Sequence, residues 1–163
     1  MIQKKVAMLG YFGVGKTSLV RQFVSSLFDD RYLATIGVKV DKKVLEARGE
    51  QIQLMLWDIA GAEERFSVPM SFVRGSSGIL LVVDGTRPES LDRALEMIHG
   101  VEEELGRLPL VVALNKADLT EAWQLDPARL ARLEPLGCPV LRSSAKTGEG
   151  VEEAFRSLAE QLV

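Results

Sequence analysis

Apolar and polar positions along the chain change period repeatedly, and the changes divide it into short units. Residues 3–9 form an apolar-rich run of strand length, followed by a glycine-rich turn over residues 10–15 and a helical-period segment from Lys16 to about residue 26. Residues 28–36 read as a polar connection. Residues 38–47 and 51–57 flank Arg48-Gly49-Glu50, which predicts a hairpin with a glycine-containing turn and hence one antiparallel edge strand. Further strands are expected at residues 78–83, 110–114 and 139–141. The first two of these are rich in Val and Leu, as strands are when helices cover both faces. Pro88 suits a first helical turn, and Leu91, Leu95 and Ile98 recur on one face of the segment it opens. Val151, Ala154, Phe155, Leu158 and Leu162 do the same near the end of the chain. Both stripes are read as core. The alternation of strands and helices predicts an α/β fold, doubly wound around a mixed, mostly parallel sheet.

At 163 residues and 47% hydrophobic, the chain suits one domain, residues 1–163, with no linker or internal repeat. Its 20 basic and 23 acidic residues give a net charge of −3 with no long run of one sign, so no nucleic-acid footprint or polybasic membrane patch is expected. The single cysteine, Cys138, cannot form an internal disulfide, and Met1 is followed by no basic stretch and long apolar core. The apolar runs are strand-sized, well below the ~20 residues that cross a bilayer. A cytoplasmic monomer is the expectation.

Residues 10–17, Gly10-Tyr11-Phe12-Gly13-Val14-Gly15-Lys16-Thr17, match G-x-x-x-x-G-K-[ST] between a strand and a helix, the context that motif requires. Glycines without Cβ let the backbone point successive N–H groups at phosphate oxygens, forming an anion nest. The helix beginning near Lys16 adds its positive end; the Lys16 ammonium neutralises β and γ oxygens, and the Thr17 hydroxyl can coordinate Mg2+. Asn115-Lys116-Ala117-Asp118 follows an apolar strand, which places it at the carboxyl edge of the sheet where doubly wound folds bind ligands. An ionised Asp118 only accepts hydrogen bonds; guanine offers adjacent donors at N1 and the exocyclic amine, whereas adenine has an acceptor at N1. The pair Asn115 and Asp118 therefore argues for guanine and against a P-loop nucleoside or metabolite kinase. Ser143-Ser144-Ala145-Lys146 lies just after the last strand, where the Ala145 N–H can donate to the guanine carbonyl.

With these residues in place, nearly the whole chain resembles the Ras superfamily, in particular its Rab-like branch and the Rab-like small GTPases of prokaryotes. That resemblance implies a P-loop NTPase fold, the Ras-like G domain, with six strands and helices on both faces. It implies GTP/GDP and Mg2+ as ligands, and a switch acting on effector, exchange-factor and GTPase-activating proteins. Residues 32–37 resemble the first switch and residues 57–66 the second, and Thr147-Gly148-Glu149-Gly150 follows the base-contacting Ala145 in the family manner. By the same similarity, Gly13, Val14, Gly15, Lys16, Thr17 and Ser18 hold the phosphates; Asn115, Lys116, Asp118, Ser144, Ala145 and Lys146 hold the base; Phe28 and Tyr32 contribute from the first switch region, Phe28 by stacking on the base edge. Thr17, Thr35 and Asp58 would hold the metal, Asp58 through water. Lys16, Thr35 and the Gly61 amide would serve catalysis, Gly61 sensing the γ-phosphate. Losing that phosphate would then release both loops.

The sequence departs from its apparent relatives at three places. Ala62 stands where most of the family has the glutamine that orients the attacking water, and a methyl group cannot hydrogen-bond water. Phe12 stands where most have a small residue, beside the path of a partner's arginine finger to the γ-phosphate; it either fills that space, or points to solvent or packs on the second switch and leaves the approach open. The chain stops at Gln161-Leu162-Val163 with no terminal cysteine motif, so no lipid anchor is expected. Slow hydrolysis is the expectation from Ala62, and a hydrolysis-deficient binding module is the alternative.

Overall fold

A computed structural model describes residues 1–25, 38–59 and 70–163. Six strands form one sheet in the order β2-β3-β1-β4-β5-β6. They are β1 (Ile2–Gly10), β2 (Val38–Ala47), β3 (Glu50–Ile59), β4 (Gly78–Asp84), β5 (Leu110–Asn115) and β6 (Val140–Arg142). Among the described residues, only the β2·β3 pair is antiparallel; the other four pairings are parallel. The expected mixed, mostly parallel sheet is therefore present.

Each strand's burial follows its place in that order. Every residue of β4 and of β5 is buried, which is why both read as unbroken Val/Leu runs. On β3, Ile52, Leu54 and Leu56 turn inward at every second position. Edge strand β2 carries Lys39, Asp41, Lys42, Lys43 and Glu46, charges that discourage pairing with another chain. Its hairpin pairs Ala47 with Glu50, leaving a two-residue turn of Arg48 (φ 50°) and Gly49 (φ 78°). Positive φ at both positions is the turn that matches strand twist. At the opposite edge the last strand lies one residue later than expected, at Val140–Arg142. Pro139 has no N–H to give the ladder, although its carbonyl still accepts from Val112 N at 3.0 Å.

The helices are α1 (Lys16–Ser25), α2 (Met70–Val73), α3 (Pro88–Leu105), α4 (Pro127–Leu130) and α5 (Val151–Gln161), with 3-10 turns at Thr120–Ala122 and Ala131–Leu136. Both predicted stripes are core. One apolar cluster packs α1 and α5 on one sheet face, with the Phe23 and Phe155 rings stacked 4.0 Å apart. The other packs Leu91, Ala94, Leu95, Ile98 and Val101 of α3 on the opposite face. Leu162 lies just beyond α5, half-buried against the first cluster. Two covered faces fix the sheet, and the parallel strands then deliver Gly10, Asp84, Asn115 and Arg142 to one edge. Among the described residues, no helix is long and apolar enough to cross a membrane.

Candidate nucleotide site

Loops after β1, β4, β5 and β6 meet at that carboxyl edge. In the first, Gly13 and Gly15 have φ of 76° and 100°. Position 15 has a second reason to be glycine, because a Cβ there would overlap the side-chain amide of Asn115. The loop hands over directly to α1, whose first residue is Lys16. Lys16 is only 6% exposed. Burial pushes its ammonium below the ordinary lysine range, and the Asp58 carboxylate opposes part of that shift. An anion seated in the loop would favour the charged form further.

Thr17 Oγ1 donates to Asp58 Oδ2 at 2.5 Å, joining the start of α1 to the end of β3. Asp58 is buried. A hydroxyl and a carboxylate side by side are hard oxygen donors, and no group of three or more His, Cys, Asp or Glu that could hold a metal occurs among the described residues. That set fits Mg2+, which takes one or two protein oxygens and completes its shell with phosphate and water.

The base end is a braced pair of loops. Lys116 takes the left-handed conformation at φ 67°, and its Nζ donates to Gly13 O at 3.1 Å while lying 2.8 Å from Asp84 Oδ2. Asn115, 1% exposed, donates from Nδ2 to Val14 O at 2.9 Å. Its Oδ1 accepts from Ser143 Oγ and from Ala145 N, each at 3.3 Å. The Ala145 N–H, expected to face a guanine carbonyl, is thus placed against Asn115 by a long bond. Ser144 Oγ donates to Asp118 Oδ1 at 2.7 Å and itself accepts from Thr147 N at 3.1 Å, which orients the Asp118 carboxylate. Gln22 Nε2 of α1 donates to Ala145 O at 3.0 Å and holds the last loop from behind.

These loops enclose an open cavity of about 250 Å³ lined by Gly15, Ser18, Asn115, Lys116, Asp118, Leu119, Ala145 and Lys146. The P-loop and base-loop candidates are brought together. Phe28, Tyr32, Thr35 and Gly61, with Ala62, lie outside the described residues. Phe12 is 41% exposed, and its carbonyl accepts from Arg87 Nη1 at 2.8 Å. Sequence reading missed Gln22, Asp84, Arg87, Leu119 and the Ser143 hydroxyl. For Asp84 a signal existed: an acid closing an otherwise apolar strand at the ligand-binding edge.

Residues 5–163 match the sequence profile of the Ras family. The chain is 33% identical over 161 residues to the Ras-related protein Rab-8B of Homo sapiens, covering 98% of this chain and 78% of that protein. It is 34% identical over 160 residues to Rab-8B of Dictyostelium discoideum, covering 97% and 79%, and 33% identical over 161 residues to Rab-8 of Diplobatis ommata, covering 98% and 77%.

Proposed function

The chain belongs to the Ras family as a Rab-like small GTPase, a GTP-binding molecular switch, and we propose that it holds GTP or GDP with Mg2+ in the cavity described above and hydrolyses GTP slowly. The observation that carries this reading is the Asp118 carboxylate, held by Ser144 at a cavity whose other walls are the P-loop and the Ala145 loop. An acceptor fixed there meets the two donors of guanine and repels the N1 lone pair of adenine. Lys16 and the Gly13, Val14 and Gly15 amides receive the phosphates; Ser18 and Lys146 flank the base end. Thr17 and Asp58, with Thr35, hold the metal, which supplies positive charge to the phosphate oxygens.

Phosphoryl transfer depends on positioning and charge stabilisation, so Lys16 and the loop amides supply most of what this chain contributes. Ala62 leaves the attacking water without a side-chain partner. The intrinsic rate is therefore about tenfold to a hundredfold below that of glutamine-bearing relatives, the cost of misplacing one reactant. Residues 1–163 act as one domain and a cytoplasmic monomer, addressing effectors, exchange factors and activating proteins through the two switch segments. A second reading, a long-lived GTP state without physiological hydrolysis, rests on the same Ala62. Competition between GTP and ATP, followed by single-turnover hydrolysis of the parent and Ala62→Gln, tests both parts. GTP selectivity with a slow parent and a faster Ala62→Gln is expected. Equal affinity for ATP, or a parent as fast as its relatives with no gain in Ala62→Gln, overturns the reading; a parent with no turnover selects the second.

A further inference from the structure

Behind the phosphate loop, the carbonyls of Phe12, Gly13 and Val14 each accept from a side chain: Arg87 Nη1 at 2.8 Å, Lys116 Nζ at 3.1 Å and Asn115 Nδ2 at 2.9 Å. In a trans peptide the C=O and the following N–H point opposite ways. Holding these carbonyls outward therefore turns the N–H groups of Gly13, Val14 and Gly15 toward the loop's interior, where an anion nest needs them. The Val14 N–H also keeps a long 3.4 Å bond to Tyr11 O.

Lys116 and Asn115 belong to the base loop. Arg87 does not. It sits in the turn between β4 and α3, where a wholly buried carboxylate, Asp84, lies 3.9 Å from Arg87 Nη1 and 2.8 Å from Lys116 Nζ. The other Asp84 oxygen accepts from Thr86 N at 2.8 Å and Thr86 Oγ1 at 2.7 Å, so its orientation is set. Arg87 Nη2 lies 3.5 Å from Glu89 Oε1, and the guanidinium lies 5.3 Å from the Tyr11 ring centroid. One buried acid thus anchors the two cations that grip adjacent carbonyls of the phosphate loop.

We propose that Arg87 is a positioning residue for the terminal phosphate: by fixing the Phe12–Gly13 peptide it aims the Gly13 N–H at the γ end of a bound triphosphate, so that it favours GTP over GDP. The proposal rests on the guanine-nucleotide reading of this loop. The direction follows from the site: the base cavity is lined by Gly15 and Ser18, so a phosphate chain leaving it runs back along the loop toward Gly13 and Phe12. A charge-assisted bond of this kind corresponds to about a tenfold change when only one nucleotide uses it fully.

Dissociation rates of fluorescent GDP and of a non-hydrolysable GTP analogue, both with Mg2+, are to be measured for the parent, Arg87→Ala and Arg87→Lys, with melting temperatures alongside. Arg87→Ala should release the GTP analogue about tenfold faster and GDP less than about threefold faster, and Arg87→Lys, which keeps a cationic donor, should recover most of the difference. An unchanged ratio of the two rates, or an equal loss for both nucleotides that follows the melting temperature, overturns the positioning role. A parent that retains neither nucleotide overturns the functional reading itself, and the proposal with it.

Discussion

Asn115→Ala is the perturbation whose size can be worked from the site. The side chain is buried and spends both ends of its amide on protein, giving to Val14 O at 2.9 Å and accepting from Ser143 Oγ and Ala145 N at 3.3 Å. Truncation leaves a buried Val14 carbonyl without this donor, a loss of about 1–3 kcal/mol. The two longer bonds lie beyond the usual range of about 2.7–3.2 Å and are each worth about 0.5 kcal/mol. The total is about 2–4 kcal/mol, and since a domain of this size shifts by about 2–4 °C per kcal/mol, the nucleotide-free protein should melt roughly 4–16 °C lower. All of these bonds join protein groups to one another, so calorimetry of nucleotide-free protein is the direct test of them. Release of fluorescent GDP should accelerate as well, because the tie that orders the phosphate loop against the base loop is gone. A melting temperature within a degree of the parent would refute the bonding described. A large drop with parent-like GDP release would refute the claim that this tie prepares the site.

Lys16→Met should raise the melting temperature of nucleotide-free protein while abolishing nucleotide retention, since the Asp58 carboxylate offsets only part of the cost of burying the ammonium and a bound anion must supply the rest. Its pKa is lowered on folding from an ordinary 10.5, so the unfolded chain holds the proton more tightly. Stability of the parent therefore gains as pH rises from that lowered value toward 10.5, and calorimetry should find that increment missing in the variant. Removing Mg2+ with EDTA should speed nucleotide release in the parent, and Thr17→Ala should reproduce much of that loss with Mg2+ present; a parent indifferent to EDTA would contradict the metal role of Thr17 and Asp58.

The parts of the fold legible in the sequence are those where burial is one-sided or complete. Leu91, Leu95 and Ile98 marked a helix because one face meets the sheet; residues 78–83 and 110–114 marked strands because both faces are covered. The last strand was placed less well, being only Val140–Arg142 at an edge and preceded by a proline. Between α3 and that strand the helical pieces are four to six residues long at Pro127–Leu130 and Ala131–Leu136, too short for a period to show. In the candidate site, Gly15, Lys16 and Asp118 stand out in the sequence because phosphate and base chemistry would restrict residue type at that fixed spacing. The brace was not. Asp84 and Arg87 act on Phe12 and Gly13 through the adjacency of β4 to β1, and no local pattern announces a contact made across the sheet. The grip of Ser144 on Asp118 was hidden for the same reason, spanning two loops that meet only once β5 and β6 are paired.

If Asp118 reads a guanine base at this site, the base preference of Asp118→Asn must change. Replacing an acceptor oxygen by an amide donor should exclude guanine and admit xanthine, which presents an acceptor at the same edge. Competition of GDP, XDP and ADP against a fluorescent diphosphate is therefore measured for parent and variant. The parent should rank GDP far above XDP and ADP, and the variant should rank XDP above GDP, each preference on the order of tenfold or more for a site whose buried polar groups are otherwise left mismatched. The same ranking in both proteins, with GDP still preferred in the variant, would contradict it.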